Sequence, residues 1–195
     1  MVPVALALAL CACRRPTGGG AATEYVVPAT APVVAPATLD SRCAQVKPLE
    51  VAPLTVEWQE SEKLRQLTLT ADGRVKRGAK PFGRFVGGCL VDPREAVVFL
   101  VDSTGSVTGP DNARKGAFVA RGALKVEGKA VAVSEVLIDP SGDGWAVDDG
   151  GTVYIVPRAA EASSVPAHVE GNVARARRAA MLLLEARTHA GDRKD

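Results

Sequence analysis

Short turn signals between alternating apolar and polar residues constrain the fold of this chain more than any other feature of its sequence. Residues 67–70 read LTLT, and the Asp72-Gly73 pair that follows suits a tight turn because glycine accepts a positive φ. Similar signals recur at residues 102–107, 127–129 and 149–153. Their spacing is unequal, which indicates a meander of antiparallel hairpins and argues against a repeat array of fixed period.

Two further segments predict how the hairpins form a core. Residues 97–101 read VVFLV, and a strand that is apolar on both faces is expected to be covered from both sides. After Asn172 the sequence favours one helix, rich in Ala, Leu, Arg and Glu. We therefore predict a mainly β fold, in which an antiparallel hairpin meander forms a small sandwich or barrel with one C-terminal α-helix packed on it.

The predicted helix allows two interpretations. Its apolar stripe follows a spacing of three to four residues, which favours packing on the sheet or plugging one end of a barrel. Alternatively, a broader apolar face that includes Met181 and Leu182 binds a partner or a membrane surface. The stripe consists of Val173, Ala176, Ala180, Leu183 and Leu184.

Composition divides the chain into segments. Residues 1–12 are apolar and uncharged but too short to span a bilayer, as in a signal peptide. Residues 13–40 are rich in Ala, Pro, Thr and Gly, which predicts a disordered tether. The remaining segments are predicted as a β-rich domain at 41–157, a loop at 158–171, the helix at 172–190 and a tail at 191–195.

The run Leu10-Cys11-Ala12-Cys13 resembles the lipobox of bacterial lipoproteins. This resemblance implies that Cys13 is lipidated and becomes the mature N-terminus. The whole layout resembles that of hairpin-rich envelope lipoproteins from GC-rich Gram-negative bacteria, which implies a lipid anchor at the periplasmic face of a membrane. Arg14 follows Cys13 where an inner-membrane retention signal would place Asp, which favours the outer membrane. Secretion is the alternative.

Two cysteines, Cys43 and Cys89, remain in the domain when the leader is set aside. In an exported chain two cysteines most simply form one disulfide, which here would join the start of the domain to a strand in its first half. The alternative is a pair of separate buried thiols.

Little in the sequence predicts catalysis. The chain has only two histidines, so a cysteine or serine nucleophile lacks its usual base, and we predict no enzyme and no cofactor. The net charge of +2 argues against binding to nucleic acid or to an anionic membrane surface. Asp139, Ser141 and Asp143 match the opening half of a calcium loop, although a turn between strands explains the same residues without a metal.

Together these features predict a non-catalytic, lipid-anchored envelope protein, a structural or interaction module that binds an envelope partner. One alternative is an envelope enzyme acting on cell-wall or polysaccharide material through carboxylates. Another is a small-ligand binder that uses a barrel interior lined by residues such as Phe99, Phe118 and Trp145.

Overall fold

A computed structural model describes residues 41–190, with side chains described as far as Arg187. The predicted signal peptide, the lipidation residue Cys13, the predicted tether and the tail at 191–195 lie outside the described residues. A short helix, α1 (Ser41–Gln45), precedes the strands, and a longer helix, α2 (Val173–Ala190), follows them.

Fourteen strands separate the two helices. They are β1 (Leu54–Glu60), β2 (Lys63–Leu69), β3 (Arg74–Arg77), β4 (Lys80–Val86), β5 (Cys89–Val91), β6 (Val97–Val101), β7 (Ser106–Thr108), β8 (Arg114–Ala120), β9 (Leu124–Val126), β10 (Lys129–Val131), β11 (Glu135–Ile138), β12 (Gly144–Val147), β13 (Thr152–Val156) and β14 (Ser163–Gly171).

Twelve of these strands form a closed antiparallel barrel in which neighbours along the chain are neighbours in the sheet. The barrel closes where β1 pairs with β14, with Leu54 opposite Gly171 and Trp58 opposite Ala167. Strands β9 and β10 form a separate hairpin. The predicted fold class is confirmed, and closure between the first and last strands decides for the barrel over the sandwich.

Six connections share one turn geometry. Each connection contains five consecutive residues in which the amide of the first residue donates to the carbonyl of the fifth, and the amide of the fourth donates to the carbonyl of the first. The fourth of these residues has a positive φ. This combination matches the three-residue hairpin loop built from a type I turn and one left-handed residue. The left-handed residues are Gly73, Glu95, Gly105, Asn112, Gly142 and Gly151.

One sequence prediction about the strands is corrected. The expected loop at 158–171 contains β14, the strand that closes the barrel. Pro166 would argue against a central strand, because proline has no amide hydrogen to donate. It lies beyond the last residue pair of β1 and β14, and at the point where the register between β13 and β14 shifts. No hydrogen bond of either ladder therefore requires an amide at this position. Strands β9 and β10 leave the barrel as a hairpin that packs outside it.

Helix α2 lies inside the barrel. Six consecutive residues, from Ala179 to Leu184, are all 0% exposed. At about 3.6 residues per turn these six point in every direction around the helix axis, so protein encloses the helix on all sides. They belong to one core cluster that includes at least one residue from each of the twelve barrel strands. No helix in the described part of the chain is both long enough and apolar enough to cross a membrane.

Residues 41–53, here called the N-terminal arm, precede β1 and cover part of the outer wall. A disulfide joins Cys43 of α1 to Cys89 of β5, with a Cα–Cα distance of 5.3 Å, as the sequence predicted. The arm approaches closely because Gly87 has no side chain, and a Cβ there would lie 1.9 Å from the Cys43 carbonyl oxygen. Val97 and Leu100 of β6 pack with this disulfide, while Phe99 packs in the central core, so β6 is covered from both sides as predicted.

Strand direction alternates around the barrel and defines two ends. The lower end holds Asn172 and the start of α2, where the Asn172 side chain accepts a hydrogen bond from the Arg175 amide at 3.3 Å and caps the helix. The upper end holds the last described turns of α2 and the β1–β2, β3–β4, β5–β6, β7–β8, β11–β12 and β13–β14 connections.

Candidate functional site

The lower end contains a cavity of about 350 Å³ beside the start of α2. Arg175, Arg177 and Arg178 line it from the helix, and Lys47 lines it from the N-terminal arm. Three acidic residues, Glu50, Asp102 and Glu135, also line this cavity.

Most of the charged groups at the lower end already hold partners. The Arg178 guanidinium donates two hydrogen bonds to the Glu135 carboxylate, at 2.8 and 2.6 Å, and lies 5.0 Å from the centre of the Phe118 ring. Hydrogen bonding to Glu135 raises the pKa of Arg178. Arg177 donates to Ser134 and Asp149. These pairs link α2 to the barrel wall, so their first role is to hold the helix in place.

The upper end contains a smaller cleft of about 190 Å³. Trp145 lines it, and its indole nitrogen donates a hydrogen bond to Glu185 of α2 at 2.9 Å. The Arg187 guanidinium lies 4.6 Å from the Trp145 ring and 5.9 Å from the Trp58 ring, and burial lowers the pKa of Arg187. The two tryptophans thus secure the C-terminal half of α2 by a hydrogen bond and by cation–π contacts.

The candidate calcium residues form one of the six shared turns. Asp139 accepts hydrogen bonds from the amides of Ser141, Gly142 and Asp143 at 2.8, 2.9 and 3.0 Å, and from the Ser141 hydroxyl at 2.6 Å. Burial alone would raise the pKa of Asp139, but these hydrogen bonds outweigh it and lower the pKa. Asp143 accepts a hydrogen bond from the Arg158 amide at 2.7 Å. Residues 41–187 contain no group of three or more acidic, histidine or cysteine side chains placed to hold a metal ion.

The prediction that Met181 and Leu182 bind a partner is wrong for this structure. Both side chains are 0% exposed and pack in the core that surrounds α2. The sequence did contain the relevant signal, because residues 179–184 read AAMLLL and carry no polar group on any face, which is typical of a helix buried all round.

The interior that a small ligand would need is occupied. Phe99 and Phe118 are 1% and 7% exposed and belong to the cluster that packs around α2. Trp145 is partly buried, packs against the same cluster and also lines the upper cleft. The structure therefore does not assemble these three residues around an open barrel lumen.

Shifts in carboxyl pKa also bear on catalysis. Wherever the structure shifts the pKa of a described carboxyl group, the shift is downward, at Asp72, Asp102, Asp139 and Glu161. A general acid at neutral pH needs the opposite shift. These four groups instead act as hydrogen-bond acceptors in turns or as partners of cations.

Comparison with known proteins finds no matching family model, no matching curated protein and no matching solved structure. The functional proposals therefore depend on the residues of this chain alone.

Proposed function

We propose that this chain is a non-catalytic, lipid-anchored protein of the cell envelope that acts as an interaction module. The observation that carries the proposal is the filled lumen, since α2 occupies the interior with six consecutive residues that are 0% exposed. A barrel filled in this way has only its outer wall and its two ends available for a partner. A tethered, rigid scaffold needs no more than that.

The arrangement of acidic groups supports binding over catalysis. Glu135, in the cavity at the lower end, is held by Arg178 through two hydrogen bonds. Asp102, in the same cavity, accepts hydrogen bonds from the amides of Thr104 and Ser106 within its own turn. A carboxylate engaged in this way is poorly placed to transfer a proton to a polysaccharide or peptide substrate.

Lipid attachment at Cys13 is tested by labelling the full chain with palmitate in a Gram-negative host. We expect the wild-type chain and a Cys11→Ala variant to take up the label and to fractionate with membranes. We expect Cys13→Ala to do neither. Absence of label from the wild-type chain, or equal labelling of Cys13→Ala, would overturn the lipid anchor.

Partner binding is tested by placing a photoreactive amino acid at exposed positions in cells. Val119 and Ile155 are large apolar residues on the surface, at 41% and 37% exposed, and Ala186 is a matched buried control at 1%. We expect a discrete crosslinked product from an exposed position and none from position 186. A survey of both ends and the outer wall that yields no product would contradict the interaction module.

A further inference from the structure

Closure of the barrel leaves one free strand edge in the described part of the chain. Each of the twelve barrel strands pairs with a neighbour on both sides. The hairpin of β9 and β10 lies outside the barrel, and β10 pairs with β9 alone. The other edge of β9 is partly engaged, because Val126 forms a bridge with Ala162. The free edge of β10 is therefore the place where a further strand can be added to this fold.

The register of the hairpin shows which backbone groups lie on the free edge. Glu127 and Gly128 both have a positive φ, as in a two-residue type I′ turn. Val126 and Lys129, which flank this turn, therefore form a hydrogen-bonded pair. Hydrogen-bonded and non-hydrogen-bonded pairs alternate along an antiparallel ladder, so the next residue, Ala130, directs its amide and carbonyl away from β9. Ala130 is exposed, and neither group bonds to another described residue.

The free edge faces an uncovered part of the outer wall. Strand β9 lies beside the β13–β14 connection, where Lys125 pairs with Glu161 at 2.6 Å. Since the barrel order is β8, β11, β12, β13, the other strand of the hairpin, β10, lies toward β8. Val119 of β8 is opposite Val136 of β11 on the outer face, and Val136 is 0% exposed beneath the hairpin whereas Val119 is 41% exposed. A strand added to β10 would cover Val119.

Positive charge flanks this strip of wall. The Arg121 amide bonds to the Ser134 carbonyl at 3.0 Å and continues the β8–β11 pairing, so Arg121 shares the outer face with Val119. Lys129 begins β10, next to the hairpin turn. Both cations belong to exposed residues, and neither forms an ion pair with a described residue. Glu127 in the turn is the one acidic residue between positions 119 and 133.

This charge favours one class of occupant over another. A second copy of this chain would add a strand that reads Lys129-Ala130-Val131, which brings more positive charge and no acidic residue. An extended segment of another protein that carries acidic side chains would complement the strip. In recognition by strand addition, main-chain hydrogen bonds supply affinity and alternate side chains supply specificity.

We propose that the free edge of β10 binds an extended acidic segment of a partner protein as a third strand. Its apolar side chains cover Val119, and its acidic side chains meet Lys129 and Arg121. This inference rests on the proposed interaction module and specifies the chemistry of its partner.

The test uses a seven-residue peptide with the order glutamate, threonine, valine, threonine, valine, threonine, glutamate and with blocked ends. Alternate residues of a strand share a face, so both valines and both glutamates face the wall together. Fluorescence anisotropy of the labelled peptide measures binding to the full chain with Cys13→Ser, which carries no acyl chain. We expect saturable binding that weakens at high salt, and about tenfold weaker binding when lysines replace the glutamates.

Hydrogen exchange locates the bound peptide. We expect it to slow exchange of the Ala130 amide and to leave the Val131 amide unchanged, because Val131 already pairs with Leu124 of β9. Ala130→Pro removes the edge amide and should weaken peptide binding about fivefold. The melting temperature should stay close to that of the wild type, since no bond within the described domain uses this amide.

Charge reversal supplies an independent variant. Lys129→Glu should weaken binding of the glutamate peptide about fivefold and strengthen binding of the lysine peptide. The matched controls are Leu64→Ser and Lys76→Glu, which change exposed residues on the outer faces of β2 and β3. We expect both to leave peptide binding unchanged.

Three results would overturn the proposal. They are absence of saturable peptide binding, equal losses in the controls and in Lys129→Glu, and a dimer of the full chain that Ala130→Pro dissociates, which would show that a second copy occupies the edge. A crosslinked product from Ile155 in cells is a separate readout. If it persists while the peptide does not bind, the strand-addition site fails and the interaction module stands.

Discussion

Shortening one side chain in the middle of α2 tests directly whether the barrel encloses the helix. Leu182 is 0% exposed, and its neighbours on both sides are equally buried. Replacing a buried leucine with alanine costs about 2–5 kcal/mol, and the cost is greatest where the surroundings cannot close over the cavity. A closed wall of twelve strands resists such collapse, so we expect Leu182→Ala to lower the free energy of unfolding by about 3–5 kcal/mol.

The matched control is Leu64→Ala, which removes the same atoms from a side chain that is 64% exposed. We expect that change to stay within about 0.5 kcal/mol. Urea unfolding at constant m-value gives both free energies, and in a domain of this size about 3 kcal/mol corresponds to a melting temperature lower by roughly 6–12 °C. If Leu182→Ala costs no more than Leu64→Ala, α2 is not enclosed and the helix must be assigned a different position.

Three further predictions concern the N-terminal arm and the turns. Removing the disulfide with Cys43→Ser and Cys89→Ser opens a loop with a sequence separation of 46 and should cost about 4 kcal/mol in urea unfolding, whereas a loss below about 1 kcal/mol would contradict its structural role. Gly87→Ala should lower the melting temperature more than Gly78→Ala, because both positions have a positive φ but only Gly87 lies against the Cys43 backbone; equal losses would show that the close approach is unimportant. A hydrogen bond from the Thr104 hydroxyl holds the pKa of Asp102 below its usual range. The folded-state pKa is the lower one, so this contribution to stability is present above the ordinary carboxyl pKa and is lost as the pH falls through the folded-state value. We therefore expect the melting temperature of Asp102→Asn to fall less steeply than that of the wild type as the pH is lowered into the acid range. An equally steep fall in both proteins would refute the assignment.

Local signals predicted the hairpins well. Asp72 and Gly73 form the turn between β2 and β3 that the sequence indicated, and the cap at Asn172 begins α2 where it was expected. Both features depend on residues within four positions of each other, so their chemistry is visible in a short window of sequence. The Cys43–Cys89 disulfide was predictable for a different reason, because only two cysteines remain outside the leader.

Long-range contacts account for the features that the sequence did not predict. Strand β14 has weak local strand character and contains Pro166, yet it forms because β1 and β13 present edges that must be paired. The candidate calcium residue Asp139 matched a metal motif over five positions, but the structure uses its carboxylate to organise a turn. The contacts of Arg178 with Glu135 and Phe118 join residues more than 40 positions apart, and no spacing rule reveals them.

The sequence by itself determined that this chain folds as a meander of hairpins with one apolar helix, because turn chemistry and apolar periodicity act over a few residues. Only the tertiary structure decided that the sheet closes and that the helix fills it. Closure depends on β1 meeting β14 across more than a hundred residues. Once the barrel closes, it encloses an interior that α2 fills, because the buried residues of the helix belong to one core cluster with all twelve strands.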